Sequence, residues 1–232
     1  MGDGRRCGIA VAHFSHRKGL DMVHTKKDAI KIVTNSAEKY DIELKGRNLL
    51  LVCMDKHERV STIELSFFGW GFLHLTGLKL RDDVNLTPDS FYDACLNHKL
   101  SQEDFEFSPD GTTGLKLDVL PYVICKNLSA NSIGDYSGRG PVLHTEKLAG
   151  GQKACIGFVK SDMIGGYVPN TLLRGDIRDY TKNNRRIIAI FRKYFNECDY
   201  QEITYLAKKV KWNDLSFPNE YEELRQKILM NH

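Results

Sequence analysis

Near Val142 the periodicity of this chain changes, and that change limits its fold more than any other feature. Before it, apolar residues recur mostly at helical spacing, with one extended hairpin between helices. After it, short alternating runs separated by glycine and polar turns dominate. Helices first and meandering strands later argue α+β rather than alternating β/α order. The first helix is expected over 28–40, with Ile30, Val33, Ala37 and Tyr40 on one face. The apolar run 48–53 reads as a strand buried on both faces, joined through a turn at 55–58 to a second strand at 60–68. Thr87 and Pro88 are a helix start, and Phe91, Cys95 and His98 mark that helix's inner face. A more central helix is expected over 113–130, kinked at Pro121. Strands follow at 143–149, 153–160, 167–173, 186–195 and 202–210. Gly175 is a bulge candidate ahead of an extended 176–180, and a closing helix falls at 219–230. The expected architecture is an antiparallel, four- to five-stranded twisted sheet, mainly 143–210, packed against helices and preceded by an N-terminal helix and β-hairpin. Residues 26–232 are expected to form one α+β domain, behind a flexible arm at 1–25 with a second possible start at Met22.

Composition removes several function classes. No apolar run approaches the ~18–20 residues of a membrane span, and residues 1–8 lack the apolar core of a signal peptide. A cytoplasmic protein with no membrane partner is expected. The six cysteines are widely separated, with no zinc-knuckle spacing, and read as reduced and mostly buried thiols. There is no P-loop, Rossmann fingerprint or HExxH motif, and so no cofactor is expected. His13 and His16 are a weak metal candidate within the arm. Any catalysis must then rest on ordinary side chains.

Charge is unevenly placed. Residues 82–142 carry a net −6 and residues 143–212 a net +6, within a chain whose total is only +3. The second half therefore offers a cationic working face, although the same charges also fit a plainly solvated sheet. Arg185, Arg186, Arg192, Lys193, Lys208 and Lys209 lie on its last two strands, and Tyr205 shares a strand face with Ile203. Cleaving RNA without a metal uses the neighbouring 2′-OH as nucleophile. It needs a base, an acid and fixed cations around the phosphate. Such apparatus selects RNA over DNA, which lacks that hydroxyl. His74, in the run FLHLTG at 72–77, supplies a proton carrier suited to neutral pH, and Thr76 points the same way if the run is extended. A buried structural histidine at a strand end is the competing reading of His74.

FLHLTG at 72–77, together with LAGGQ (148–152), GFVK (157–160), VPNTLLRGDIR (168–178), IIAIFRK (187–193) and ITYLAK (203–208), resembles the phage- and mobile-element-associated branch of the barnase, EndoU, colicin E5/D and RelE-like nucleases. The resemblance covers about 47–211. It implies a helical cap over a four-stranded antiparallel sheet, no metal, and a toxin-like endoribonuclease acting in conflict between bacteria and phage. The residues it implies for catalysis are His74, Arg178, Lys193, Lys208 and Tyr205. For substrate binding it implies Thr76 and Thr171, to which the polar run 167–178 and the basic strand after it add Asn170, Arg174 and Arg186. The implied partners are RNA (tRNA, mRNA or rRNA) and a neutralising antitoxin or phage protein. Two rivals remain: a non-catalytic RNA- or protein-binding module, and an enzyme such as a transferase on a nucleotide or protein substrate.

Overall fold

The computed structural model describes residues 24–230. Residues 1–23 of the expected arm, with Cys7, His13, His16 and Met22, therefore lie outside the described residues. The first helix, α1 (Lys26–Glu43), opens on a capping box. Thr25 Oγ1 accepts from the Asp28 N–H at 3.2 Å, and the Asp28 carboxylate accepts from the Thr25 N–H at 2.9 Å. Ala29, Val33, Ala37 and Tyr40 form its fully buried stripe. The hairpin follows as β1 (Arg47–Met54) and β2 (Val60–Phe67). A single turn of 3-10 helix at Gly69–Gly71 leads into α2 (Phe72–Thr76). Next come β3 (Leu78–Leu80), α3 (Pro88–Leu96), β4 (Phe105–Phe107) and α4 (Thr112–Val123). The second half holds β5 (Ser132–Tyr136), β6 (Lys147–Gly150), β7 (Ala154–Lys160), β8 (Tyr167–Arg174), α5 (Ile177–Tyr180), β9 (Thr181–Tyr194), β10 (Glu202–Leu206) and α6 (Glu222–Met230).

The expected open antiparallel sheet of four or five strands is not what forms. Eight strands run in the order β1-β2-β8-β7-β6-β5-β9-β10, and β1 also pairs with β9, closing seven of them into a barrel. The barrel is mixed, because β2 and β8 are parallel and meet through the Leu65–Tyr167 bridge. The long strand β9 accounts for the closure. One edge pairs with β1, while the other takes β5 first and β10 afterwards. Both edges of β1 are thereby paired along its length, and β9 is paired on one edge or the other throughout, which removes the open edges a free sheet would present. The N-terminal hairpin is thus part of the barrel wall rather than an appendage to a C-terminal sheet.

Bulges decide which residues face inward. Ile187 and Ile190 lie in the inner cluster, whereas Ile188, Ala189 and Phe191 lie in the outer one. The register shift opposite Val52 and Cys53 breaks the strict alternation that the sequence implies. The inner cluster joins Leu49, Leu51, Leu65, Phe67, Ile156 and Phe158 to the apolar faces of α1, α3 and α4. Outside, Trp212, Leu215, Phe217, Leu224 and Ile228 from the C-terminal segment cover Leu50, Val52 and Phe191. Full burial of each such side chain is worth about 1.5–3 kcal/mol, so both faces of β1 stabilise the fold.

Five local expectations are corrected. The run 72–77 is helical, not extended, because Gly77 takes a left-handed φ of 71° and ends a helical turn. Residues 177–180 form helix α5 rather than strand, with the Asp176 carboxylate capping the Arg178 N–H at 3.0 Å. Helix α4 stops at Val123, and β5 follows where the expected helix would have ended. His98 lies beyond α3 at a left-handed φ of 53° and faces solvent, its Nε2 3.2 Å from Glu38 Oε1. The final strand ends at Leu206, short of 210.

Candidate active site between the helical layer and the barrel

The short helix α2 presents His74 outward while Phe72, Leu75 and Thr76 turn into the core. Its position is fixed by hydrogen bonds at both ends. Tyr40 Oη donates to the Phe68 carbonyl at 2.9 Å, holding the 3-10 turn ahead of it. Thr76 Oγ1 donates to the Leu73 carbonyl at 2.8 Å and accepts from the Leu78 N–H at 3.1 Å. Thr113 Oγ1 then ties α4 to the end of α2. It donates to the Gly77 carbonyl at 2.6 Å and accepts from the Ser108 N–H at 2.8 Å. A Cβ at Gly77 would lie 2.8 Å from Lys116 Cδ and 3.2 Å from Thr113 Cα, so only glycine permits this approach.

That approach brings Lys116 to His74. Lys116 Nζ donates to the His74 carbonyl at 3.3 Å. Burial, and then the nearby Lys116 ammonium, hold the imidazole pKa below its ordinary 6.5. Burial also lowers the Lys116 pKa, against a smaller opposing pull from Asp110. Asp110 is itself held low by the backbone and side-chain hydrogen bonds of Thr112, at 3.0 and 2.7 Å.

The barrel contributes Asn170. It sits at the register shift between β7 and β8, where Gly157 pairs with Thr171 and Phe158 with Pro169. Both ends of its amide are engaged. Oδ1 accepts from Thr145 Oγ1 at 2.8 Å, and Nδ2 donates to the His144 carbonyl. Gly157 leaves room for this arrangement, since a Cβ there would lie 2.5 Å from Thr171 Cγ2 and 2.9 Å from Thr145 Oγ1. His74, Lys79, Ser108, Asp110, Lys116 and Asn170 line one cleft of about 470 Å³, within the size range of small-molecule and nucleotide sites.

Of the residues expected from sequence, this cleft gathers His74 and Asn170. Thr76 and Thr171 are buried, the first stapling α2 and the second packing across Gly157. Arg174 pairs with Asp118 at 2.8 Å, and the same carboxylate meets His24 Nε2 at 2.8 Å. Arg178 is exposed and paired with Asp176. Arg186 donates to the Lys208 carbonyl at 2.8 Å, and Lys208 itself is exposed beyond β10. Lys193 Nζ donates to the Cys198 carbonyl at 2.9 Å and stands 4.8 Å from the Tyr200 ring centre. Tyr205 packs on the apolar clusters beside β9. Those last positions do not line the His74 cleft. Lys116 went unnoticed in the sequence because it lies 42 residues from His74 with no motif around it.

Among the described residues, no helix is long and apolar enough to cross a membrane. Nor is any group of three or more His, Cys, Asp or Glu side chains placed to hold a metal ion. Cys53, Cys95 and Cys155 are buried free thiols, Cys125 is half-buried and Cys198 exposed.

No curated protein and no solved structure matches the chain. A family match spans residues 32–209, which includes α2, α4, all ten strands and every residue of the His74 cleft. That family is one of nucleases, which makes nucleic acid the substrate class. The chain belongs to the family described as phage-Barnase-EndoU-ColicinE5/D-RelE like nuclease4.

Proposed function

We propose that this nuclease is an endoribonuclease and that the His74 cleft is where it cuts. The observation that carries the proposal is an imidazole and a desolvated ammonium sharing one cleft with a fixed amide. A histidine with a lowered pKa is neutral near pH 7 and can accept a proton. In the proposed reaction His74 takes the proton of the 2′-OH. The 2′-oxygen attacks the adjacent phosphorus, and the P–O5′ bond breaks. Lys116, whose own pKa is lowered, gives a proton to the departing 5′-oxygen and offsets charge on the phosphoryl group. Asn170 Nδ2 has one hydrogen beyond its bond to the His144 carbonyl, and it would orient a phosphoryl oxygen. The products are a 2′,3′-cyclic phosphate and a 5′-hydroxyl end. Proton transfer and charge stabilisation are both assigned to side chains, so the reaction is proposed to run without a metal. A toxin-like role between phage and bacterium, with cellular RNA as target and a neutralising protein as partner, belongs to the same proposal and draws on the family's phage association.

The test is cleavage of total RNA by wild-type protein, His74→Ala and Lys116→Gln. The proposal expects both substitutions to reduce kcat by about 10²-fold or more while RNA binding persists. Binding without any cleavage by the wild type would favour a non-catalytic RNA-binding module instead.

A further inference from the structure

A second cleft of about 630 Å³ opens at the other end of the β1–β2 hairpin, beneath the 55–59 turn. Four cations line it (Lys56, Arg59, Lys147, Arg185) against two carboxylates, Asp55 and Asp135. Each carboxylate is already committed. Asp55 pairs with Arg59 at 2.7 Å. Asp135 accepts from Lys147 Nζ at 2.7 Å and from Asn183 Nδ2 at 3.0 Å. Burial opposes ionisation of Asp135, but those two hydrogen bonds prevail and hold its pKa below the ordinary carboxylate value.

Arg185 is different. It is half-buried on β9, and Nη1 donates to Ser61 Oγ at 2.8 Å. Among the described residues no carboxylate lies within ion-pair distance of it, although its charge also acts on Asp135 across the cleft, and most of its five-donor fork is unspent. Cys53 lies buried within Coulombic reach of both Arg185 and Lys147, yet burial pushes its thiol up to about 12. It therefore supplies no balancing thiolate. The Lys147 ammonium also stands 5.5 Å from the ring centre of Tyr167, which packs on the inner core behind the cleft wall. A fork-shaped donor, a fixed ammonium and an imidazole at His57, flanked by the amides of Asn183 and Asn184, together match a phosphoryl group more closely than a halide.

We propose that this barrel-end cleft binds the phosphoryl group of a nucleotide unit, with Arg185 as the bidentate donor and Lys147 as the second cation. The group can come from a free nucleotide or from an RNA strand. The strand source rests on the ribonuclease reading of the His74 cleft; the free nucleotide does not.

Calorimetric titration of the full chain with 5′-AMP, and separately with a 2′-O-methyl RNA oligomer that cannot be cut, tests the proposal. Arg185→Gln should weaken binding at least 10-fold. Lys56→Gln combined with Arg59→Gln, on the exposed turn, should weaken it several-fold, and serves where Arg185→Gln does not fold. An effect on AMP identifies a nucleotide site, and an effect on the oligomer alone identifies a strand subsite. Unchanged affinity for both probes in the variants, or no binding of either by the wild type, overturns the proposal. His74→Ala separates the two sites. If it abolishes cleavage while the cleft variants bind normally, only the present inference fails. If it leaves cleavage intact while Arg185→Gln loses AMP, only the assignment of cutting to His74 fails.

Discussion

Thr113→Val should uncouple α2 from α4 without changing the shape of the core. Thr113 is 1% exposed, and its hydroxyl makes both the 2.6 Å bond to the Gly77 carbonyl and the 2.8 Å bond from the Ser108 N–H. Valine fills the same volume but leaves a carbonyl and an N–H without partners. Each such group costs about 1–3 kcal/mol when buried. Gly77 and Ser108 are only half-buried, so water recovers part of that loss. The expected destabilisation is about 2–3 kcal/mol, or roughly 4–12 °C in Tm for a domain of this size. Thr113→Ser keeps the hydroxyl and deletes one methyl, costing about 0.8 kcal/mol. Calorimetry and urea unfolding measure both variants, and single-turnover cleavage follows the site. Valine should lower the cleavage rate because α2 and Lys116 lose their common anchor, and serine should not. Equal losses for valine and serine would show that the hydroxyl counts for no more than the methyl, and would refute this account of how the cleft is held.

The acidic limb of kcat/KM should fall below pH 6.5, since burial and Lys116 both lower the His74 pKa. Lys116→Gln removes the charge but not the burial, so the limb should move up toward 6.5, read from a pH profile of whatever cleavage remains. The linkage has the same sign: the folded state binds fewer protons than the unfolded chain at this residue, so its contribution to stability is lost as pH falls below the ordinary value. A limb that moves down in Lys116→Gln contradicts the assignment. Gly157→Val places a branched side chain where one Cβ already meets Thr171 Cγ2 at 2.5 Å and Thr145 Oγ1 at 2.9 Å. The Thr145–Asn170 bond should break, and cleavage should fall further than the change in melting temperature explains.

Local signals in the sequence were good guides where neighbouring residues decide the structure. Thr87 and Pro88 start α3 as capping chemistry requires. The apolar run at 48–53 is buried on both faces because the barrel core covers one and the C-terminal segment the other. Barrel closure was not legible, because it depends on β1 finding β9 across about 140 residues, and no local pattern encodes that pairing. The Ile187–Phe191 run hid its bulge, since five apolar residues in succession carry no alternation to break. His74 stands out by its chemistry, but its setting is helical and not the extended one expected. FLHLTG scans equally well as strand or as a single helical turn, and only Gly77 at positive φ against Lys116 decides between them. Thr76 thereby changes from a partner of His74 to a staple of its helix. The basic residues of the last strands drew attention through their number, but several are engaged locally with Asp176, the Lys208 carbonyl or the Cys198 carbonyl.

The most direct test of the central claim is to map the ends produced from a defined RNA and from the same RNA carrying a single 2′-deoxy at the cut position, using wild-type protein and His74→Ala. The account predicts 2′,3′-cyclic phosphate ends from the wild type, resistance at the 2′-deoxy position, and at least ~10²-fold slower cutting by a folded His74→Ala protein. Cutting of the 2′-deoxy position at the normal rate, or undiminished activity in His74→Ala, would contradict it.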